Sequence, residues 1–175
     1  MAGRGSLLGV AVRRVRECDV DAVVALVHDL AAFERAGEQC RLTATQLRAA
    51  LFGAHPALFG HVAEVGGEVA GVALWLLSFS TWDGMHGIYL EDLFVRAEHR
   101  GMGLGRQLLA ALAAECLRRG YSRLQWSVLD WNEPAIGFYR RLGAVPMDEW
   151  TVFRVDGPAL SALAGCAVRG QEWTG

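Results

Sequence analysis

The spacing of apolar and polar positions changes repeatedly along the chain, and each change marks an element. Between Val10 and Arg16 β-branched residues fall at alternate positions, which predicts an opening strand. From Val20 to Arg35 the apolar residues Val23, Leu26, Val27, Leu30 and Phe33 recur at three- and four-residue intervals, predicting an amphipathic helix capped by Asp19 and stopped by Gly37. Thr43 caps a second, shorter helix to about Phe52, and His55-Pro56 breaks it. Two strands follow, Phe59 to Val65 and Val69 to Ser80, joined across Gly66-Gly67, a dipeptide suited to a tight hairpin. A polar loop, 81–87, leads into a strand from Ile88 to Val95.

Beyond a glycine-rich turn, Leu104, Leu108, Leu109, Leu112 and Cys116 mark one face of a helix ending near Gly120. Ser122 to Leu129 reads as a strand, Pro134 to Leu142 as a helix opened by proline and stopped by Gly143, and Trp150 to Val155 as a last strand. The order is β-α-α-β-β-β-α-β-α-β, an α/β domain with a mixed central sheet flanked by helices. One domain is expected over residues 10–157. A flexible segment precedes it at 1–9, and a short helix from Pro158 and a frayed tail follow it to 175.

With 175 residues, 53% of them hydrophobic, the chain supports a single well-buried core. It has no run near the roughly 20 apolar residues of a membrane span and no signal-peptide layout, so a cytoplasmic protein that avoids membranes is expected. A net charge of −2 argues against nucleic-acid binding through a strongly basic face. All 17 basic residues are arginine, which rules out a P-loop lysine, a Schiff base and a lysine general base. Cys18, Cys40, Cys116 and Cys166 have no CxxC spacing and no paired histidines, so no metal site is expected.

The glycine turn carries the first chemical signal. Arg100-Gly101-Met102-Gly103-Leu104-Gly105-Arg106 lies between a strand and a helix, so its amides and the helix dipole converge where a phosphate could sit. Arg106 occupies the place of the last glycine in a dinucleotide fingerprint, which excludes that motif. Alone, the turn is equally compatible with a bare strand-to-helix connection.

The pattern Arg100-x-x-Gly103-x-Gly105 resembles the (Gln/Arg)-x-x-Gly-x-(Gly/Ala) motif of the GNAT acyltransferases, in which the turn wraps the pyrophosphate of coenzyme A. The segments STWDG (80–84), IYLEDLFV (88–95), HRGMGLG (99–105), DWNEPAIGFYRRLGA (130–144) and DEWTVFRV (148–155) resemble the spermidine/spermine and thialysine acetyltransferases of that family. The likeness covers residues 10–156.

The resemblance implies an acetyl-CoA-dependent N-acetyltransferase. Glu91 would be the base that deprotonates the amine, directly or through water, with Asp92 near the substrate's cationic groups. Strand alternation sends these neighbours to opposite faces unless the strand bulges, and without the family match they read as an ion-paired strand end. Amides of Leu93, Phe94 and Val95 would stabilise the oxyanion, and Tyr139 would protonate the leaving thiolate. Asn132, the chain's one asparagine, would contact coenzyme A or simply cap the helix after it. Arg100, Gly101, Met102, Gly103, Leu104, Gly105 and Arg106 would hold the cofactor phosphates, the two arginines flanking them with positive charge.

Glu34, Trp82, Glu91, Asp92 and Trp150 match positions lining the amine site, where carboxylates and aromatic faces suit a small polycation. Ser80 and Phe33 depart from the polyamine pattern, which leaves polyamines, diamines and lysine analogues all open. Acetylation of an antibiotic, amino-acid or peptide amine is the alternative within enzymes; a catalytically inactive CoA-sensing or interaction module is the alternative outside them. The resemblance also implies a homodimer.

Overall fold

The computed structural model describes residues 9–166. The chain divides after Ser127 into two compact units, so the segment expected as one domain spans both.

The first unit is built on a five-stranded sheet in the order β1-β2-β3-β4-β5. Its strands are β1 (Val10–Arg14), β2 (Phe59–Val65), β3 (Glu68–Ser80), β4 (Met85–Val95) and β5 (Leu124–Trp126). The first four pair antiparallel and β5 joins β4 in parallel, giving the expected mixed sheet. The β2–β3 hairpin closes between Val65 and Glu68, with Gly66 and Gly67 both at positive φ, as a two-residue primed turn requires.

Helices α1 (Val20–Phe33) and α2 (Ala44–Phe52) cover one face of this sheet. Val20, Val23, Leu26, Leu47 and Leu51 form a buried cluster with Val62, Val72, Leu74 and Phe94. Helix α3 (Leu104–Arg119) covers the opposite face, which the alternation of β3 makes plain. Val72 and Leu74 point to α1 and α2, whereas a Cβ on Gly71 would lie 3.5 Å from the Leu108 side chain. Enclosure on both faces explains the unbroken buried run from Ala70 to Trp75.

Polar groups on the α3 side are paired. Glu115 is buried and accepts from Arg14, Arg118 and Arg119. Burial opposes the Glu115 charge, but these guanidiniums overcome it and leave its pKa lowered. His61 is buried, and its Nδ1 accepts from Trp75 Nε1 at 3.2 Å. Desolvation, helped by the nearby Arg14 charge, lowers the His61 pKa to about 4. Cys116 lies inside, where burial pushes its thiol pKa up and away from acyl-carrier chemistry.

The second unit contains α4 (Glu133–Arg141) and α5 (Gly157–Ala164). The strand expected at Trp150–Val155 does not form: residues 151–156 carry no regular structure, and Val152 and Phe153 are exposed. Alternating apolar residues specify a face, but a strand also needs a hydrogen-bonding neighbour, and none pairs with this segment among the described residues. The expected flexible start and frayed end lie outside the described residues, apart from Gly9 and the α5 region.

Candidate functional site

The site is organised by an irregularity in β4. Leu74 pairs with Asp92 and Trp75 with Leu90, so Glu91 is an extra, unmatched residue, a β-bulge. The bulge removes the objection that neighbouring residues must face opposite sides. It also ends the parallel pairing: β5 accompanies β4 only over Ile88–Leu90. Past that point the outer edge of β4 is not used by β5; Arg96 N–H bonds to Ala70 O of β3, so by alternation Phe94 also faces β3, and Leu93 and Val95 turn their backbone groups to the outer edge. The Val95 carbonyl there accepts from Arg100 Nε, while the Leu93 and Val95 N–H groups have no partner in the ladder among the described residues.

Glu91 is exposed, whereas Asp92 is largely buried. Burial, then the negative charges of Glu91 and Glu34, raise the Asp92 pKa to about 6. Three expected site carboxylates therefore share one electrostatic neighbourhood. Burial also raises the pKa of Glu34.

Glu34 reaches this place because α1 ends earlier than Gly37. Ala36 N–H bonds to Ala31 O and Arg35 N–H to Ala32 O, the double closure of a Schellman turn. Its left-handed position falls on Arg35, at φ 61°, a conformation costing a non-glycine residue about 1 kcal/mol. Strain of this kind gathers at functional sites, and nothing in the residue sequence announces it.

Beyond β4, past one turn of 3-10 helix at Ala97–His99, the glycine turn leads into α3, with Gly105 already inside that helix. Gly101 and Gly103 sit at φ 81° and 78°, and the space a Cβ would enter is open at both. Gly103 is the N-cap of α3, so the amides of Leu104, Gly105 and Arg106 have no acceptor within the helix. Free amides at the positive end of a sixteen-residue helix, on an open surface, fit a pyrophosphate. Met102 and Arg106 are exposed beside them.

Trp82 is not brought to the carboxylates. It is 89% exposed in the β3–β4 turn, beyond Met85, and Asp92 lies about 20 Å further along the strand at ordinary rise. Asn132, Tyr139 and Trp150 belong to the second unit. Asn132 caps α4, its Oδ1 accepting from Ala135 N–H at 3.3 Å. Tyr139 is half-buried on α4 beside Phe138, and Trp150 is mostly exposed.

A bulged strand beside a helix start with free amides, with carboxylates alongside, suits an acyltransfer enzyme. The chain belongs to the acetyltransferase (GNAT) family, which it matches over residues 24–144, and it is an N-acetyltransferase. It is 37% identical over 167 residues to thialysine N-epsilon-acetyltransferase of Bos taurus, covering 89% of this chain and 98% of that one. It is also 37% identical to the enzyme of the same name from Caenorhabditis elegans over 145 residues, covering 81% and 89% of the two chains. Among solved structures, an integron cassette protein from the mobile metagenome of V. cholerae superposes with a TM-score of 0.75 at 26% identity, covering 89% and 97%.

Proposed function

We propose that this enzyme transfers acetyl from acetyl-CoA to a primary amine of a small polycation, a polyamine, diamine or lysine analogue, by direct attack in a ternary complex. The carboxylate group at the β4 bulge carries this reading: Glu91, Asp92 and Glu34 place negative charge together beside the cofactor turn. Similarity to enzymes named for thialysine, itself a lysine analogue, supports the same acceptor class.

Each residue then has a task. Asp92 and Glu34 neutralise the acceptor's positive charge. Exposed Glu91 takes the proton from the attacking ammonium directly or through water. Amides on the outer edge at Leu93 and Val95 donate to the developing oxyanion; the Phe94 amide, expected to share this task, faces β3 instead. The turn amides from Gly101 to Arg106 hold the pyrophosphate, and Asn132 adds a cofactor contact. Tyr139 donates a proton to the departing thiolate. When bound, acetyl-CoA supplies the activated acyl group.

Trp82 and Trp150 complete the amine site in this reading. The span from Trp82 to Asp92 exceeds the length of a diamine, so Trp82 would reach the acceptor from a second copy of the chain. A cytoplasmic homodimer is therefore part of the proposal.

The test is release of CoA thiol from acetyl-CoA with a panel containing spermidine, short diamines, ornithine, thialysine, amino acids and aminoglycosides. Turnover on the polycations or lysine analogues supports the proposal. Turnover only on the remaining amines moves the acceptor elsewhere, and CoA binding without turnover on any amine makes the chain a cofactor-sensing module.

A further inference from the structure

The sequence pattern puts Arg100 beside the phosphates as a positive charge, but its side chain is engaged elsewhere. The guanidinium carbon lies 5.1 Å from the Phe33 ring centroid and 5.5 Å from that of Phe94. Its Nε donates to the Val95 carbonyl at 3.1 Å. Phe33 is the last residue of α1, Phe94 and Val95 end β4, and Arg100 opens the turn, its own N–H bonded to Ala97 O. One side chain thus joins three segments.

These are the segments that carry the chemistry. Glu34 follows Phe33, Asp92 precedes Phe94 by two positions, and the two carboxylates lie near enough to repel. The α1 end needs something to hold it, because its closure runs through the strained Arg35. Phe94 is buried, whereas Phe33 is 41% exposed, so Arg100 ties an exposed helix end to a strand fixed in the core. A planar guanidinium stacks on aromatic rings while its Nε–H donates in the plane, a rigid arrangement that a compact ammonium on a flexible stem does not reproduce.

We propose that Arg100 is a positioning residue: it sets the acceptor-binding end of α1 against the cofactor turn through Phe33, Phe94 and the Val95 carbonyl, and does not serve as a phosphate ligand. This rests on the acetyl-transfer reading above, so the amine panel with the unaltered enzyme is run first and decides that reading by itself.

The variants are Arg100→Lys, Arg100→Gln, Phe33→Leu, Phe33→Tyr and the double variant Arg100→Lys/Phe33→Leu. Three quantities are measured: kcat and KM for the best amine, CoA affinity by calorimetry at two salt concentrations, and amide hydrogen exchange over residues 31–36. Because lysine has no planar group to lie against both rings with an Nε–H on the Val95 carbonyl, Arg100→Lys should raise the amine KM roughly tenfold despite keeping its charge. Arg100→Gln and Phe33→Leu should match it, the double variant should be no worse, and Phe33→Tyr, which keeps a ring against the guanidinium, should leave exchange at 31–36 unaccelerated. CoA affinity and its salt dependence should stay within about threefold, while exchange at 31–36 accelerates in Arg100→Lys. The proposal is overturned if Arg100→Lys behaves as the unaltered enzyme while Arg100→Gln loses CoA affinity and salt dependence. Unchanged exchange at 31–36 in Arg100→Lys overturns it as well, whatever the panel shows.

Discussion

Acidifying the solution from pH 8 to pH 5 should empty the acceptor site without unfolding the enzyme, because Asp92 takes up a proton in that interval. Its pKa in the folded protein is raised to about 6, first by burial and then by Glu91 and Glu34. Above pH 6 the carboxylate is charged and attracts an ammonium; below it the neutral acid does not. A hydrogen bond to a charged partner contributes about 1.5–3 kcal/mol, so protonation should weaken amine binding by roughly ten- to a hundredfold. By linkage the bound amine lowers the Asp92 pKa by about one to two units. At pH 6 the free site holds about half a proton and the occupied site far less, so binding should release about 0.4–0.5 proton per amine. The acceptor's own ammonium, with an ordinary pKa of about 10.4, does not titrate in this range.

The assay is calorimetric titration of amine into enzyme saturated with CoA, without an acetyl donor, in buffers of different ionisation enthalpy. Asp92→Asn should bind weakly at every pH between 5 and 8 and release no proton. Glu34→Gln should move the transition to lower pH by removing one of the repelling charges. Equal affinity at pH 8 and pH 5 with no proton release would refute the assignment of Asp92 to the acceptor. The raised pKa also has a stability consequence of definite sign. The folded state holds the Asp92 proton more tightly, so its contribution is present below the unfolded value near 3.9 and is lost as pH rises through 6. Asp92→Asn should therefore gain stability at pH 8, by about 1–3 kcal/mol after allowing for residual solvent contact.

His61 behaves in the opposite sense. Its folded pKa of about 4 lies below the ordinary 6.5, so the unfolded chain binds the extra proton and stability falls as pH drops from 6.5 toward 4, by up to about 3 kcal/mol. Urea unfolding in an Asp92→Asn background isolates this loss, and His61→Gln in that background should remove it; an identical pH dependence with and without His61 would rule it out. Gly103→Ala should cost about 1–2 kcal/mol at φ 78° and weaken CoA binding, read by melting temperature and calorimetry. Tyr139→Phe should lower kcat while CoA affinity stays nearly unchanged; an unaltered kcat would remove Tyr139 from proton transfer.

Periodicity located the helices and most of the sheet because those elements bury a face along their own length. It failed where a partner strand decides. Residues 85–87, assigned to a polar loop, extend β4 because Ser78, Phe79 and Ser80 are there to pair with them. The expected strand at 122–129 is held to Leu124–Trp126, since the bulge at Glu91 turns β4 away after Leu90. Trp150–Val155 alternates correctly and still forms no strand. The same distinction governs the site. Gly101 and Gly103 were legible because each owes its positive φ to its own missing side chain, whereas the relation of Glu91 to Asp92 depends on one unmatched residue in a ladder. Arg100 was legible as a charge but not in direction, because its position is set by Phe33, 67 residues earlier in the chain. Sequence motifs thus locate the turn proposed to hold the cofactor. What gathers Glu34, Glu91 and Asp92 into one neighbourhood is long-range: a bulge in β4 and a helix end closed through a strained residue, with the Arg100 guanidinium lying against Phe33 and Phe94.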